Sequence, residues 1–188
     1  MLNIMLTIQH SMGAHIDDDL ILQIAEGDRT ALKTLYEGIS GNIYGYALSI
    51  LKNRDDAEDV LQETFLKIFT AAKGYTPQKK PTAWVFTIAK NIIRDKLRKR
   101  SETTEFSEAL PQEPDYSAIE STEQRMIIKA LFSILNDDEK QIVILHAAEG
   151  MKHREIARIL DIPLATALSR YNRAVKKMEK YANQEALL

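Results

Sequence analysis

Carboxylates recur at a helical spacing within residues 54–69. Asp55, Asp59 and Glu63 follow one another at intervals of four residues, and Asp56 stands beside the first. Carboxylates grouped in this way can perform general acid–base catalysis or hold a hard metal cation. No histidine lies near them in the sequence, and their spacing places them on the surface of a helix. The pattern therefore favours a solvated or partner-binding face over a catalytic site.

The other residue types that commonly carry chemistry form no catalytic pattern. The chain has no cysteine, which excludes disulfides, a thiolate nucleophile and thiolate-bound zinc. Its four histidines show no metal-ligand spacing; they are His10, His15, His146 and His153. The sequence contains no phosphate-binding loop and no nucleophile motif. We expect no cofactor, no bound metal and no enzymatic activity.

Basic side chains are concentrated in two segments, although the formal net charge is only −2. Residues 71–100 contain nine basic side chains and one acidic, and residues 151–180 contain eight basic and three acidic. Residues 101–124 contain seven acidic side chains and no basic one. A polyanion responds to the local field rather than to the net charge. Each basic segment is therefore either a nucleic-acid-binding surface or a solvated helix face.

The first basic segment is predicted to be a loop followed by a helix. Two prolines and a glycine interrupt residues 73–81, and a helix is expected over 82–100. The apolar stripe of that helix is Val85, Ile88, Ala89 and Ile92, and its basic ridge is Lys90, Arg94, Arg98, Lys99 and Arg100. Tyr75 and Trp84 beside this ridge suit single-stranded nucleic acid, because bases stack on aromatic rings. Phe86 is expected in the core instead.

The second basic segment has the pattern of a helix-turn-helix, with an ordinary helical hairpin as the alternative. A short helix over 152–160, a turn at Asp161 and Ile162, and a helix from Pro163 to about Tyr181 fit this motif. Basic side chains on the second helix can face phosphates; they are Arg170, Arg173, Lys176, Lys177 and Lys180. Thr166 and Ser169 can reach base edges.

The periodicity of the whole chain predicts an all-α fold with two small helical domains joined by an acidic flexible linker. The second domain contains the helix-turn-helix. Further helices are expected after Asp17–Asp19, after Asp28, over 54–69, and after capping boxes at 121–124 and 136–139. We expect an N-terminal extension over 1–17, a first domain over 18–101, the linker over 102–120, a second domain over 121–183 and a tail over 184–188. No apolar run is long enough to cross a bilayer, and the N-terminus does not have the form of a signal peptide.

Three segments resemble the extracytoplasmic-function (ECF) sigma factors of the sigma-70 family. The run from Asp55 to Phe65 is similar to the polymerase-binding helix of that family. The segment that resembles the −10 promoter helix contains Trp84, Ile88, Ala89, Lys90, Asn91, Asp95 and Arg98. The segment that resembles the −35 helix-turn-helix contains Ile156, Ala157, Ile162, Pro163, Thr166, Ser169, Arg170, Arg173 and Ala174. The resemblance covers residues 18–181.

This resemblance implies a cytoplasmic transcription initiation factor that is not an enzyme. Its partners would be core RNA polymerase, at the clamp helices of the largest subunit and the flap, promoter DNA and an anti-sigma factor. The residues implied to bind the polymerase are Asp55, Asp56, Asp59, Gln62 and Glu63. Those implied to bind the −10 element, where a flipped base is held as the duplex melts, are Lys79, Lys80, Trp84, Asn91, Arg94 and Arg98. Those implied to bind the −35 element are Arg154, Thr166, Ser169, Arg170, Arg173 and Lys177. The linker would run toward the RNA exit path, and the regulon would answer stress or envelope damage.

The sequence departs from the family pattern in the helix-turn-helix. Asp161 stands where the family usually has a turn glycine. Leu168 stands where it has a cation, and Ala167 where it has a valine. These changes affect the expected −35 preference and remove one phosphate contact, which should lower the salt dependence of binding by about one unit of slope. Two other functions are compatible with parts of the pattern: a two-domain repressor or activator that works without polymerase, and a phosphoryl-transfer or hydrolytic enzyme with an accessory DNA-binding domain.

Overall fold

The computed structural model describes residues 16–78, 80–102, 122–148 and 150–184, and every regular element in these ranges is helical. The chain divides near residue 114 into two compact units. The all-α fold with a helix-turn-helix in its second half is confirmed. Of the expected linker, only Glu102 lies within the described residues. Ser121 of the first predicted capping box, His10 and His15 also lie outside them.

In its described residues, the first unit contains four α-helices and one short 3-10 turn. The helices are α1 (Asp18–Ala25), α2 (Arg29–Leu51), α3 (Arg54–Ala71) and α4 (Pro81–Glu102), with the 3-10 turn Ala72–Gly74 after α3. The long helices α2, α3 and α4 pack on one another, and α1 packs on α2 and the 3-10 turn. This arrangement places the carboxylates of α3 and the cations of α4 on neighbouring helices.

Side-chain caps determine where the first three helices begin. Asp17 Oδ1 accepts a hydrogen bond from the Leu20 N–H at 2.9 Å, and Asp28 Oδ1 accepts one from the Thr30 N–H at 2.7 Å. Asn53 Oδ1 accepts from the Asp56 N–H at 2.9 Å. Each cap supplies a partner to a backbone N–H that the helix leaves free. The predicted helix starts after Asp17 and after Asp28 are therefore confirmed, and the capping hydrogen bonds explain them.

The core of the first unit lies between α2, α3 and α4. Tyr46 and Phe86 are both almost fully buried and meet edge to face, with ring centroids 5.5 Å apart. The expectation that Phe86 belongs to the core is confirmed. Burying a large apolar side chain contributes about 1.5–3 kcal/mol. Thr64 is also buried, and its hydroxyl donates to the Val60 carbonyl at 2.6 Å.

In its described residues, the second unit has four α-helices, three of which pack against the long C-terminal one. They are α5 (Thr122–Ser133), α6 (Asp137–Val143), α7 (His153–Leu160) and α8 (Leu164–Gln184), and α6 continues into a π-helical turn at Ile144–Ala148. Helix α8 packs against α5, α6 and α7. The predicted capping box at the start of α6 is confirmed: Asn136 Oδ1 accepts from the Glu139 N–H at 2.9 Å, and Glu139 Oε2 accepts from the Asn136 N–H at 3.0 Å.

Several boundaries and burial assignments differ from the prediction. Helix α4 begins at Pro81 rather than at residue 82, because a proline lacks only the N–H that the first helical position does not use. Pro163 precedes α8, and its carbonyl accepts from the Ala167 N–H at 3.1 Å. The π-helical turn was not predicted. The helical periodicity after residue 121 predicts an apolar face that includes Ile134, but Ile134 lies in the turn after α5 and is half-buried, whereas Phe132 is buried.

Among the helices of the described residues, none combines the length and the apolarity that crossing a bilayer requires.

Candidate functional site

The acidic residues of α3 divide between the solvent and the neighbouring helix α4. Asp55 is exposed, whereas Asp56 is half-buried and faces α4. The Lys96 Nζ lies 3.3 Å from Asp56 Oδ1 and 2.9 Å from Asp59 Oδ2. The Arg100 guanidinium also contacts Asp56 and donates to the Leu51 carbonyl at 3.2 Å. Asp56 therefore joins α3 to α4 inside the unit, while Asp59 keeps most of its surface in solvent.

The outward face of α3, defined here as Asp55, Asp59, Gln62, Leu66 and Phe69, carries two acidic side chains, one amide and two apolar side chains. Leu66 is 68% exposed and Phe69 is 43% exposed. The helical periodicity of residues 54–69 predicts a buried stripe that runs from Ala57 to Phe69. This prediction is wrong for Phe69, which lies at the edge of the stripe, where periodicity alone does not decide burial. Leu66 lies four residues after Gln62, so the helical spacing predicts that it lies on the same outward face.

Glu63, the fifth residue of the implied polymerase-binding set, lies beside the outward face of α3 rather than on it. Its Oε1 lies 3.0 Å from the Lys67 Nζ, one turn later in the same helix. An ion pair between exposed residues on one helix contributes about 0.3–0.5 kcal/mol. This pair leaves the glutamate accessible to a partner.

Helix α4 presents a polar and aromatic stripe to solvent. Asn91, Arg94 and Arg98 are exposed, and Trp84 is half-buried. These four residues follow one another at intervals of seven, three and four, so they share one side of the helix. Arg98 Nη2 lies 3.6 Å from Asp95 Oδ1. The stripe combines an indole ring, an amide and two guanidinium groups, which is a set of groups that can stack on bases and pair with phosphates.

The Trp84 ring is held by the segment that precedes α4. The rings of Tyr75 and Trp84 have centroids 5.0 Å apart. The Tyr75 hydroxyl donates a hydrogen bond to the carboxylate of Asp18 in α1. Burial, followed by this hydrogen bond and the charge of Asp18, raises the pKa of Tyr75, so the phenol stays protonated. The contacts therefore connect α1, the loop and the first turn of α4 into one aromatic platform, defined by Asp18, Tyr75 and Trp84.

The cations of the first basic segment do not form one surface. Arg94 and Arg98 lie on the exposed stripe with Asn91, whereas Lys96 and Arg100 contact the carboxylates of α3. Lys80 is exposed just before α4, and Lys79 lies outside the described residues. The sequence charge of this segment therefore overstates the number of cations that can meet a polyanion.

The turn between α7 and α8 has the closed geometry of a helix-turn-helix. Asp161 adopts the left-handed conformation, with φ of 55°. The Ile162 N–H donates to the Ala157 carbonyl at 3.0 Å, and the Asp161 N–H donates to the Arg158 carbonyl at 3.4 Å. This is the Schellman ending of a helix. An aspartate tolerates the left-handed conformation better than most residues, which explains how the turn forms without glycine.

The implied −35 residues fall into two groups on α7 and α8. Arg154, Ser169 and Arg173 are exposed, and Thr166 is half-buried. Arg170 Nη2 lies 2.9 Å from Asp138 Oδ2, and Lys177 Nζ lies 2.8 Å from Glu139 Oε2. Two of the six residues thus also connect α8 to the first turn of α6.

Glu139 is a buried carboxylate that remains charged. Burial favours its protonated form, but three contributions outweigh burial and hold its pKa below the ordinary value. They are the hydrogen bond from Lys177, the hydrogen bond from the Asn136 N–H and the positive charges of Lys177 and Arg173. A charged, hydrogen-bonded residue at this position stabilises the start of α6 and fixes α8 against it.

Two exposed residues of α8 were not predicted as site residues. Asn172 and Leu168 lie four residues apart, next to Ser169 and Arg173, and both are exposed. Asn172 could have been found by counting four residues from Leu168 along the helix.

Two histidines and a tyrosine of the second unit form an aromatic cluster that was also not predicted. The rings of His146 and His153 have centroids 4.2 Å apart, and the Tyr171 ring lies 4.5 Å from the first and 4.7 Å from the second. His146 Nδ1 lies 2.6 Å from the Met151 carbonyl oxygen. Within the described residues, no three histidine, aspartate or glutamate side chains converge on a common metal position.

The two units match the two conserved modules of one family of transcription proteins. The Sigma-70 region 2 family matches residues 35–103, and the Sigma-70 region 4 family matches residues 125–178. The ECF RNA polymerase sigma factor EcfG of Rhodopseudomonas palustris is 30% identical over 142 residues, covering 73% of this chain and 77% of the relative. The ECF RNA polymerase sigma factor SigW of Bacillus subtilis is 25% identical over 179 residues, covering 85% and 93%.

Solved structures share the fold at lower identity. CnrH, in complex with the cytosolic domain of CnrY, matches with a TM-score of 0.54 and 22% identity, covering 89% of this chain and 97% of that one. The sigma factor RpoE of Bartonella quintana, in complex with the anti-sigma factor NepR, matches with a TM-score of 0.55 and 24% identity, covering 80% and 94%.

Two helical units, the second with a helix-turn-helix, define a modular DNA-binding class of protein. The chain belongs to the ECF group of the sigma-70 family of RNA polymerase sigma factors. It therefore acts in transcription initiation as a regulatory factor.

Proposed function

We propose that this sigma factor brings core RNA polymerase to promoters with −35 and −10 elements and promotes melting of the −10 duplex. The observation that carries the proposal is the aromatic platform next to the exposed Asn91–Arg98 stripe of α4, in the same chain as a helix-turn-helix. A repressor that binds only duplex DNA does not need a stacking surface for unpaired bases. We assign core and −10 binding to the domain over 18–101, and −35 binding to the domain over 121–183.

Core polymerase would bind the outward face of α3. Asp55 and Asp59 offer negative charge to a basic surface such as the clamp helices of the largest subunit, and Leu66 adds apolar area beside them. Complementary charges mainly accelerate association, and buried apolar area slows dissociation. The −35 binding unit would contact the flap.

The −10 element would bind the stripe of α4 and the aromatic platform. Flipping a base out of the duplex costs a few kcal/mol. Stacking on an aromatic ring contributes about 1–3 kcal/mol per base, so the platform can offset this cost. Arg94 and Arg98 would hold the phosphates of the separated strand, with Lys79 and Lys80 entering from the loop.

The −35 element would bind α8 through Thr166, Ser169 and Arg173, with Arg154 of α7 on the flanking backbone. This is the docking geometry that helix-turn-helix proteins use in the major groove. Arg170 and Lys177 would add charge from the side of the helix that contacts α6. Their pairs with Asp138 and Glu139 mean that truncating them also disturbs α6.

An anti-sigma factor would be a further partner. CnrH and RpoE are each seen in complex with another protein, and for RpoE that protein is an anti-sigma factor. In this chain, Leu66 and Phe69 give such a partner apolar surface beside the acidic residues of α3. We propose that it competes with core polymerase for this face.

The deciding experiment is transcription in vitro from genomic DNA by core polymerase with and without the protein, followed by sequencing of the transcripts. Specific starts with shared −35 and −10 elements are expected. The genes downstream test whether the regulon answers stress or envelope damage. A protein that binds promoters but neither binds core nor starts transcripts would be a repressor or activator instead.

Core binding is tested by Asp55→Lys with Gln62→Lys, because both side chains are exposed. The double variant should lose core binding in a pull-down and retain its circular dichroism spectrum. Reversing Asp56 is less informative, since a lysine there would meet Lys96 and Arg100 and destabilise the unit. Glu37→Lys is the matched control, because it reverses an exposed charge on α2. Equal loss in the control and the double variant would count against the assigned face.

The −35 contact is tested by Ser169→Ala with Arg173→Ala. Promoter affinity of the holoenzyme should fall while core affinity stays unchanged. Loss of core binding with promoter binding retained would contradict the assignment of the two units.

A further inference from the structure

We propose that Leu168 and Asn172 select A·T base pairs in the −35 element. In this proposal Leu168 contacts the thymine methyl group, and the Asn172 amide hydrogen-bonds the adenine edge. The inference rests on the proposed −35 function of α8, and it names the bases that this helix prefers.

The two residues lie one helical turn apart on the exposed side of α8. Ala167, Ala174, Val175, Met178 and Ala182 mark the buried side of the helix, and Leu168 lies at its edge, two turns before Val175. Leu168 is 40% exposed although it is a large apolar residue, and Asn172 is also exposed. Residues four apart are neighbours on a helix surface. One turn advances about 5.4 Å, so the two side chains reach the same base pair or adjacent ones.

Their chemistry matches what an A·T pair presents in the major groove. Thymine offers a C5-methyl group, and adenine offers an N7 acceptor with an N6 donor that an asparagine amide can bind bidentately. Guanine offers two acceptors instead, O6 and N7, and requires a donor. Leu168 has no donor to offer, so a guanine beneath it would lose its hydrogen bonds to water without replacement.

The charges around Leu168 favour DNA over a protein as the occupant of this surface. Arg154 and Arg158 of α7 and Arg173 and Lys176 of α8 are all exposed. Leu164, another exposed leucine, borders an open depression that Arg154, Arg158 and Asp161 also line. Four exposed cations on the two helices that carry these leucines suit contacts with a phosphate backbone.

The first test replaces thymine by uracil, which differs only in lacking the methyl group. The probes are the strongest promoter fragments from the genomic transcription experiment, with the −35 thymines replaced on one strand at a time. Wild-type holoenzyme should bind a uracil probe about threefold to fivefold more weakly, the value of one buried methyl-sized group. Leu168→Ala should bind both probes equally. Met126→Ala is the control, since Met126 is 68% exposed in the same unit but on α5, and it should keep the wild-type ratio.

The second test exchanges each −35 A·T pair for G·C. Wild-type holoenzyme should lose about tenfold in affinity at one pair, and Asn172→Ala should lose most of that discrimination. Changing Leu168 to Arg should instead favour a guanine at its base pair.

The outcomes separate this inference from the proposed function. If Ser169→Ala with Arg173→Ala weakens promoter binding, but uracil, Leu168→Ala and Asn172→Ala change nothing, the A·T inference is overturned and the −35 function stands. If the Ser169 and Arg173 variant binds promoters normally, both are overturned. Genomic promoters with only G·C pairs in the −35 element would also overturn the inference.

Discussion

At the scale of single residues, the cluster of His146, His153 and Tyr171 couples the second unit to pH. His153 Nε2 is buried and has no hydrogen-bond partner. Burial lowers the pKa of His153, and the charge that His146 can carry lowers it further. A second cation within a 4.2 Å ring stack would be repelled by the first.

The stability of the second unit should therefore fall as the solution becomes acidic. The unfolded chain binds a proton on His153 near pH 6.5, whereas the folded chain resists it until a lower pH. Stabilisation is then complete above the unfolded pKa and is lost as pH falls through the folded one. Urea unfolding between about pH 7.5 and about pH 5.5 measures this loss. Glu139, whose ordinary pKa is 4.5 and is lowered here, titrates below this window.

The variant His153→Phe keeps an aromatic ring in the cluster and removes the titration. This variant should flatten the pH dependence of the free energy of unfolding. It should not lower stability at neutral pH, because a buried unpaired nitrogen is also removed. An unchanged slope would show that another group is responsible.

Single residues also show the limit of prediction from sequence. The aspartates that cap α1 and α2, and the Asn136–Glu139 box of α6, were predictable because a cap acts over three residues. The histidine cluster was not, because it joins a π-helical turn, α7 and α8. Nor was the pair of Lys96 with Asp56, 40 residues apart in sequence. A charge count finds the cations but does not show which carboxylate each one meets.

At the scale of elements, the start of α4 is built from parts of three segments. Asp18 belongs to α1, Tyr75 to the loop and Trp84 to the first turn of α4. Tyr75 and Trp84 were predicted to stack on unpaired bases. The structure adds the contact between their rings and the hydrogen bond from Tyr75 to Asp18. The full set of implied −10 residues remains a proposal.

The aromatic platform should control promoter opening rather than core binding. Trp84→Ala should reduce the permanganate reactivity of −10 thymines by about fivefold or more in holoenzyme complexes, since one stacked base is worth about 1–3 kcal/mol. Trp84→Phe should retain part of the opening. Tyr75→Phe removes only the hydrogen bond to Asp18 and should have the smaller effect. Normal thymine reactivity in Trp84→Ala would exclude this role for the platform.

At the scale of the whole molecule, the net charge of −2 conceals how the charges are used. Part of the basic helix α4 neutralises the acidic helix α3, and part of α8 neutralises the first turn of α6. Under the proposed function, the remaining exposed cations, such as Arg94, Arg98 and Arg173, would set the salt dependence of DNA binding. The charge of a segment therefore overestimates the charge that is available to a partner.

Each unit buries its own set of apolar side chains, so destabilising one should leave the other intact. Trp84 is the only tryptophan in the chain and lies in the first unit, so its fluorescence reports the unfolding of that unit alone. Glu139→Ala removes the acceptor of the Asn136 N–H and the partner of Lys177 in the second unit. The expected loss is about 1–2 kcal/mol. Urea titration should move the far-ultraviolet circular dichroism midpoint of the second unit and leave the Trp84 midpoint unchanged. Glu139→Gln should lose less, because the amide oxygen can still accept from Asn136. A shift of both midpoints together would mean that the two units unfold as one.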